Sequence, residues 1–187
     1  MSVAGSIGFM VGMILVIVIS VLAGMFIVSR MNSDKEFKTK YDERQQIVRG
    51  KGYKFAFWTM VGLLVLNIIF DASDIHLPMK NSVLYFVIIL IGIMVHTVYC
   101  VFNDGYFGMN NPPKQYYIFM FFIGLLNLVI GFINSKGGRL IDDGIIDTPF
   151  INLLCGMMFV VLGICIVIKR IISKSDDESD DEEDDEQ

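Results

Sequence analysis

Two histidines, three cysteines and one dense run of mixed charge are the residues of this 187-residue chain whose types could do chemistry. His76 and His96 belong to no HExxH motif, and Cys100, Cys155 and Cys165 contain no CxxC pair. An odd cysteine count without such a pair argues against a disulfide framework and against a zinc site. In the turn "DASDIHLPMKN" the carboxylates of Asp71 and Asp74 could share a cation with His76, but no metal site is assigned there. No P-loop, GxSxG or pair of carboxylates on an apolar segment is present. The sequence therefore assigns no catalytic residue, no metal and no cofactor, and it predicts a protein that is not an enzyme.

His96 is different in placement, because "LIGIMVHTVYC" sets an ionisable ring inside an apolar run, where such groups are expensive and often functional. A neutral imidazole bonded to a neighbouring helix is the simpler expectation. The sharper one groups His96 with Asn127 and Asn152 as an intramembrane polar seam, which would make the chain a small transporter or a transport accessory subunit.

The elements that must carry these residues follow from composition. Hydrophobic residues make up 54% of the chain and mean hydropathy is +0.59, values that place it among membrane proteins. Five stretches, 7–28, 55–72, 83–102, 116–133 and 150–168, approach the length needed to cross about 30 Å of hydrocarbon as helix. None alternates as a barrel strand would. The fold class expected is all-α: a polytopic bundle of five transmembrane helices occupying residues 1–174. The first stretch is followed by Arg30 and by no clear small-x-small site, so it reads as a retained helix rather than a signal peptide.

Small residues recur at helical spacing in three of these segments: Ala4, Gly8 and Gly12 with Ser20 and Gly24; Gly124, Asn127, Gly131 and Asn134; Asn152, Gly156 and Gly163. Such faces allow close approach of helix backbones, and the Gly8 and Gly12 face predicts a homo-oligomer contact. "VGLLVLNIIF" and "IGLLNLVIGF" also align faintly at an offset of 62, which would make helices two–three and four–five related hairpins.

Charge fixes the expected orientation. Eight Lys and Arg lie between the first two apolar stretches; counted on alternate sides, twelve fall on one side and three on the other. The positive-inside rule then puts the N-terminus outside and the C-terminus in the cytoplasm, in the plasma membrane. Ten of the twenty acidic residues crowd into "DDESDDEEDDEQ", so residues 175–187 are expected to form a disordered acidic tail. A tethered basic loop beside a polyanion makes nucleic acid an improbable partner.

The mixed-charge run is "KTKYDERQQIVRGKGYKFAFW", residues 38–58. Within an amphipathic cytosolic segment at 35–54, a helix from about Tyr41 would align Tyr41, Arg44, Val48 and Phe55, with Lys51 and Lys54 beside them. Its alkyl stems and aromatics could lie along anionic headgroups. Anchoring accounts for "GKGYKFAFW", but the order Asp-Glu-Arg-Gln exceeds what anchoring needs. At that string the chain resembles small multi-pass bacterial membrane proteins, a domain of unknown function, that carry a juxtamembrane D-E-R-Q motif followed by a basic stretch entering a helix. Asp42, Glu43, Arg44, Gln45, Arg49, Lys51 and Lys54 match that pattern, while Gly52 stands where Ala is expected. Some members are encoded beside helix-turn-helix regulators. The resemblance implies a non-enzymatic regulatory or interaction module that presents these residues to a cytosolic protein partner, with membrane lipid as the other candidate.

Overall fold

Long apolar runs without internal proline leave the backbone no way to satisfy its N–H and C=O groups in lipid except within helices, and helices are what form. The computed structural model describes residues 3–36, 38–110 and 113–184. Five helices follow one another: α1 (Val3–Met31), α2 (Glu43–Ala72), α3 (Asn81–Phe102), α4 (Pro113–Lys136) and α5 (Phe150–Asp184). A small antiparallel hairpin, β1 (Ile141–Asp142) with β2 (Ile145–Ile146), joins α4 to α5. Four helices are long and apolar enough to cross a membrane: α2, α3, Tyr116–Lys136 of α4 and Phe150–Ser173 of α5. The described apolar part of α1, Val18–Met31, is shorter.

Two boundaries differ from those read in the sequence. The basic stretch does not form a separate helix, because α2 runs unbroken from Glu43 into the apolar segment. Its 30 residues extend about 45 Å at 1.5 Å each, more than the ~30 Å hydrocarbon core, so the basic turns project beyond the span. Likewise α5 continues through the acidic segment as far as Asp184, where composition predicts disorder. A helix already formed needs no new nucleus to add turns, which favours propagation into a run that could not start a helix alone. Residues 185–187 lie outside the described residues.

Close packing builds two hairpins. The first, α2 against α3, closes over Gly92, where a Cβ would fall 2.5 Å from Met60 Cγ. The second, α4 against α5, closes over three of the glycines expected at an interface. A Cβ at Gly124 would meet Phe159 at 2.8 Å, one at Gly131 the Leu153 backbone at 3.1 Å, and one at Gly156 the Leu128 side chain at 2.6 Å. The faces are not filled throughout, since Gly24 and Gly163 have nothing within 4 Å of a notional Cβ.

The hairpins meet along α3 and α5, where Val101, Met120, Leu162 and Ile166 form a buried cluster and Cys100 is wholly enclosed. Most other large apolar side chains point outward, as they must where lipid rather than water is the solvent. Residues 18–25 of α1 are exposed, and only its end approaches the pair, where Phe26, Ile27, Arg30 and Met31 line a shallow pocket with Ile118, Phe119 and Phe122 of α4. The side chains around Gly8 and Gly12 lie outside what the structure describes.

Candidate interaction site at the loop end

At one end of the bundle, called here the loop end, two connections fold against each other: residues 32–42, between α1 and α2, and residues 103–110, between α3 and α4. The D-E-R-Q motif lies where they meet. Asp42 is extended (φ −71°, ψ 173°) and caps α2, its carboxylate accepting the Gln45 N–H at 2.6 Å. Gln45 Oε1 in return accepts the Asp42 N–H at 3.3 Å, which completes a capping box. Glu43 is the first helical residue, where a negative charge suits the helix dipole. The amide of Gln45 then reaches across to donate to the carbonyls of Phe107 (3.1 Å) and Asp104 (3.3 Å).

Asp104 gathers the cations. Its φ of 58° puts it in the left-handed region one residue past the α3 C-cap Asn103, a position Asp tolerates better than most residues. Its carboxylate lies 3.7 Å from Arg44 and 3.2 Å from Lys169 near the loop end of the α5 span, so one side chain ties α2, α3 and α5 together. Its partners lie 60 and 65 positions away, which no local pattern reveals.

Asn110 does for the first connection what Asp104 does for the helices. It is 6% exposed, and both polar groups of its side chain are used. Its Nδ2 donates to both carboxylate oxygens of Asp34 (3.0 and 3.1 Å) and to Lys38 O, and its Oδ1 accepts the Lys40 N–H at 2.8 Å. Its backbone carbonyl accepts from Ser33 N at 2.8 Å. Met109 N–H donates to Lys40 O at 2.9 Å, and beside it Gly108 meets Thr39 and Lys40 so closely that no side chain fits. Asp34 also pairs with Lys40 at 2.9 Å. That ammonium, the Glu36 N–H and Asn110 together hold the Asp34 carboxyl down at about 2, and the same carboxylate with Glu36 pushes the Lys40 amine up.

A column of rings and one cation runs down the same side of α2. The guanidinium of Arg49 lies 4.0 Å above the Tyr41 ring and donates to Tyr53 Oη at 3.3 Å. Tyr53 stacks on His96 at 4.0 Å between centroids. His96 touches Cys100 Sγ at 3.8 Å, and a Cβ at Gly52 would meet His96 at 2.8 Å. Cys100 follows His96 by one helical turn, a spacing that marks it as the imidazole's neighbour. Gly52, which departs from the expected Ala, is thus the residue that lets α3 bring His96 against α2.

The sequence-derived sites divide accordingly. Asp42, Gln45, Arg44 and Arg49 are engaged within the protein, while Lys51 and Lys54 are exposed and bonded to no other described residue. His96, Asn127 and Asn152 are not brought together: Asn127 donates to Ile123 O of its own helix, and no bond among the described residues joins any two of the three. His76 Nδ1 lies 4.0 Å from the Asp71 carboxylate with both side chains exposed. Among the described residues no group of three or more His, Cys, Asp or Glu is arranged to hold a metal. No protein-family model matches the chain, and no curated protein or solved structure matches it either.

Proposed function

We propose that the protein is a non-enzymatic, multi-pass protein of the plasma membrane, with five spans, the N-terminus outside and the loop end in the cytoplasm, and that it works as an interaction or regulatory module. The excess of Lys and Arg on alternate sides supports the orientation. The apolar stretch 7–28 supports α1 as the fifth span. The partner is a cytosolic protein with an acidic surface, which meets the projecting first turns of α2. The likeness of residues 41–58 to the D-E-R-Q proteins points the same way.

The observation that carries this reading is the division among the basic residues. Lys40, Arg44 and Arg49 neutralise or stack on groups of the protein itself, yet Lys51 and Lys54 remain exposed on a helix whose start is capped and tied to two loops. Lysines carried on an anchored helix make a better-defined docking surface than lysines on a mobile loop, since little backbone entropy is then lost on binding. Anionic headgroups could take the same lysines, and the experiment separates the two. A photo-crosslinker placed at residue 47 in native membranes should capture a defined cytosolic protein, and the Lys51→Glu, Lys54→Glu double variant should lose it. Capture of lipid alone, or a protein adduct indifferent to the double variant, overturns the reading. The transporter alternative draws no support from geometry, because its three polar residues do not meet.

A further inference from the structure

A groove of about 680 Å³ runs along the seam between α4 and α5. Its walls are apolar, with Tyr117, Gly124 and Leu128 on α4 and Phe159, Gly163 and Arg170 on α5 among the residues that line it. The volume falls within the range of about 300–1,000 Å³ typical of small-molecule sites. Its depth has a local cause. Gly163 carries no side chain and nothing lies within 4 Å of where a Cβ would be, so α5 has a notch in the wall it turns to the groove.

Polarity is confined to one end. Arg170 lies next to Lys169, which is bonded to Asp104, and Tyr117 follows the 103–110 connection by one turn of α4, its ring 5.5 Å from that of Phe107. Both therefore sit at the loop end. Arg170 is exposed and has no ion-pair partner among the described residues, in contrast to Lys169 beside it. From this end the lining extends to Leu128 on α4 and to Phe159 on α5, about 17 Å at 1.5 Å per residue on either helix. Half of a ~30 Å hydrocarbon core is about 15 Å. The groove is thus one leaflet deep, open along its length to apolar solvent, and marked by a guanidinium and a phenol where that leaflet's phosphates would lie.

We infer that this seam is a binding site for one phospholipid of the leaflet at the loop end, with an acyl chain in the notch over Gly163 and the lipid phosphate at Arg170. A guanidinium binds phosphate by paired, charge-assisted N–H bonds, which Lys offers only as a point charge. The chemistry fits neither a soluble polar metabolite, for which the walls offer nothing to bond, nor a second protein helix, for which an isolated cation at one end has no use. The inference rests on the spanning arrangement proposed above but not on the cytosolic partner.

The test uses the full chain extracted in mild detergent and measured by native mass spectrometry after exposure to defined phospholipids. The wild-type protein should retain one phospholipid per chain through detergent exchange. Gly163→Leu should abolish retention by filling the notch; it should leave the fold intact, because a side chain there meets open space and Leu is the better helix former. Arg170→Gln should reduce retention at least tenfold and erase preference among headgroups, while the acyl groove persists. Circular dichroism and crosslinking from residue 47 serve as controls, and both should match the wild type in each variant. Absence of retained lipid in the wild type, or equal retention by Gly163→Leu, overturns the site. Loss of the residue-47 adduct in wild type as well would count against the partner and leave the lipid result standing, and failure to sediment with carbonate-washed membranes would overturn the spanning arrangement beneath both.

Discussion

The two ends of the bundle are fastened by different chemistry. At the hairpin end, opposite the loops, the connection after α2 pairs with the β-hairpin through backbone groups: Ile146 N–H donates to Pro78 O at 2.8 Å and Lys80 N–H to Ile146 O at 2.9 Å. A Lys80–Asp147 ion pair at 2.7 Å, its lysine exposed and its aspartate half-buried, lies beside them. At the loop end two backbone bonds, Ser33 N–H to Asn110 O and Met109 N–H to Lys40 O, are outnumbered by side-chain bridges, with Asn110, Gln45 and Asp104 each joining segments far apart in sequence. Backbone pairing tolerates many residue types, whereas a side-chain bridge works only with the one that is there. The hairpin end therefore constrains shape, and the loop end constrains sequence as well, which is the pattern expected where a surface must be presented in one form.

The largest effect should come from Asn110→Ala. The substitution removes four side-chain bonds to three partners at a buried position and strands the Lys40 N–H, a loss of about 2–3 kcal/mol in the local stability of the 32–42 connection. Hydrogen exchange at the Lys40 and Met109 amides should accelerate by one to two orders of magnitude, with Ile146 unchanged. Equal acceleration at both ends would show that they form one cooperative unit and erase the contrast.

Acid should separate the ends next. The Asp34 carboxyl sits at about 2 in the folded loop against an ordinary 3.8, so its pairing with Lys40 and Asn110 stabilises the loop fully above about pH 4 and is lost as pH falls through about 2. Asp147 is also held low, by Lys80, and will lose its pair in acid. The backbone pairing beside it does not titrate. Spin labels at residues 38 and 102 should move apart between pH 4 and pH 2, while labels at 75 and 141 keep their separation. Simultaneous opening would mean that the ion pair, not the strand pairing, fastens the hairpin end.

What could be read from the sequence tracks how local each cause is. Apolar runs announce the helices, and glycine spacing announced most of the α4–α5 interface, because both are set by neighbours within a few turns. A helix start near Tyr41 was legible in the charged stretch, where Asp42 and Gln45 form a capping-box pair, but its unbroken run into the apolar span was not, since hydropathy is silent inside a charged stretch. The β-hairpin was equally legible in "IDDGII", where Asp143 and Gly144 both take positive φ as a two-residue turn requires. Asn110 and Asp104 were not legible in that way. Their roles depend on partners some 60–77 positions distant, and a lone Asn or Asp in a turn carries no sign of them.

The smallest effect, and the sharpest test of the contrast, belongs to Lys80→Ala. A surface ion pair whose lysine is solvent-exposed gains little in water and is screened by salt. The alanine keeps the backbone N–H that donates to Ile146 O, so the pairing that closes the hairpin end survives the substitution. Exchange at the Ile146 amide should stay within about twofold of wild type in low and high salt alike. A large, salt-sensitive acceleration would place the fastening in the side chains at this end too, and the two ends would then differ in their residues but not in their physics.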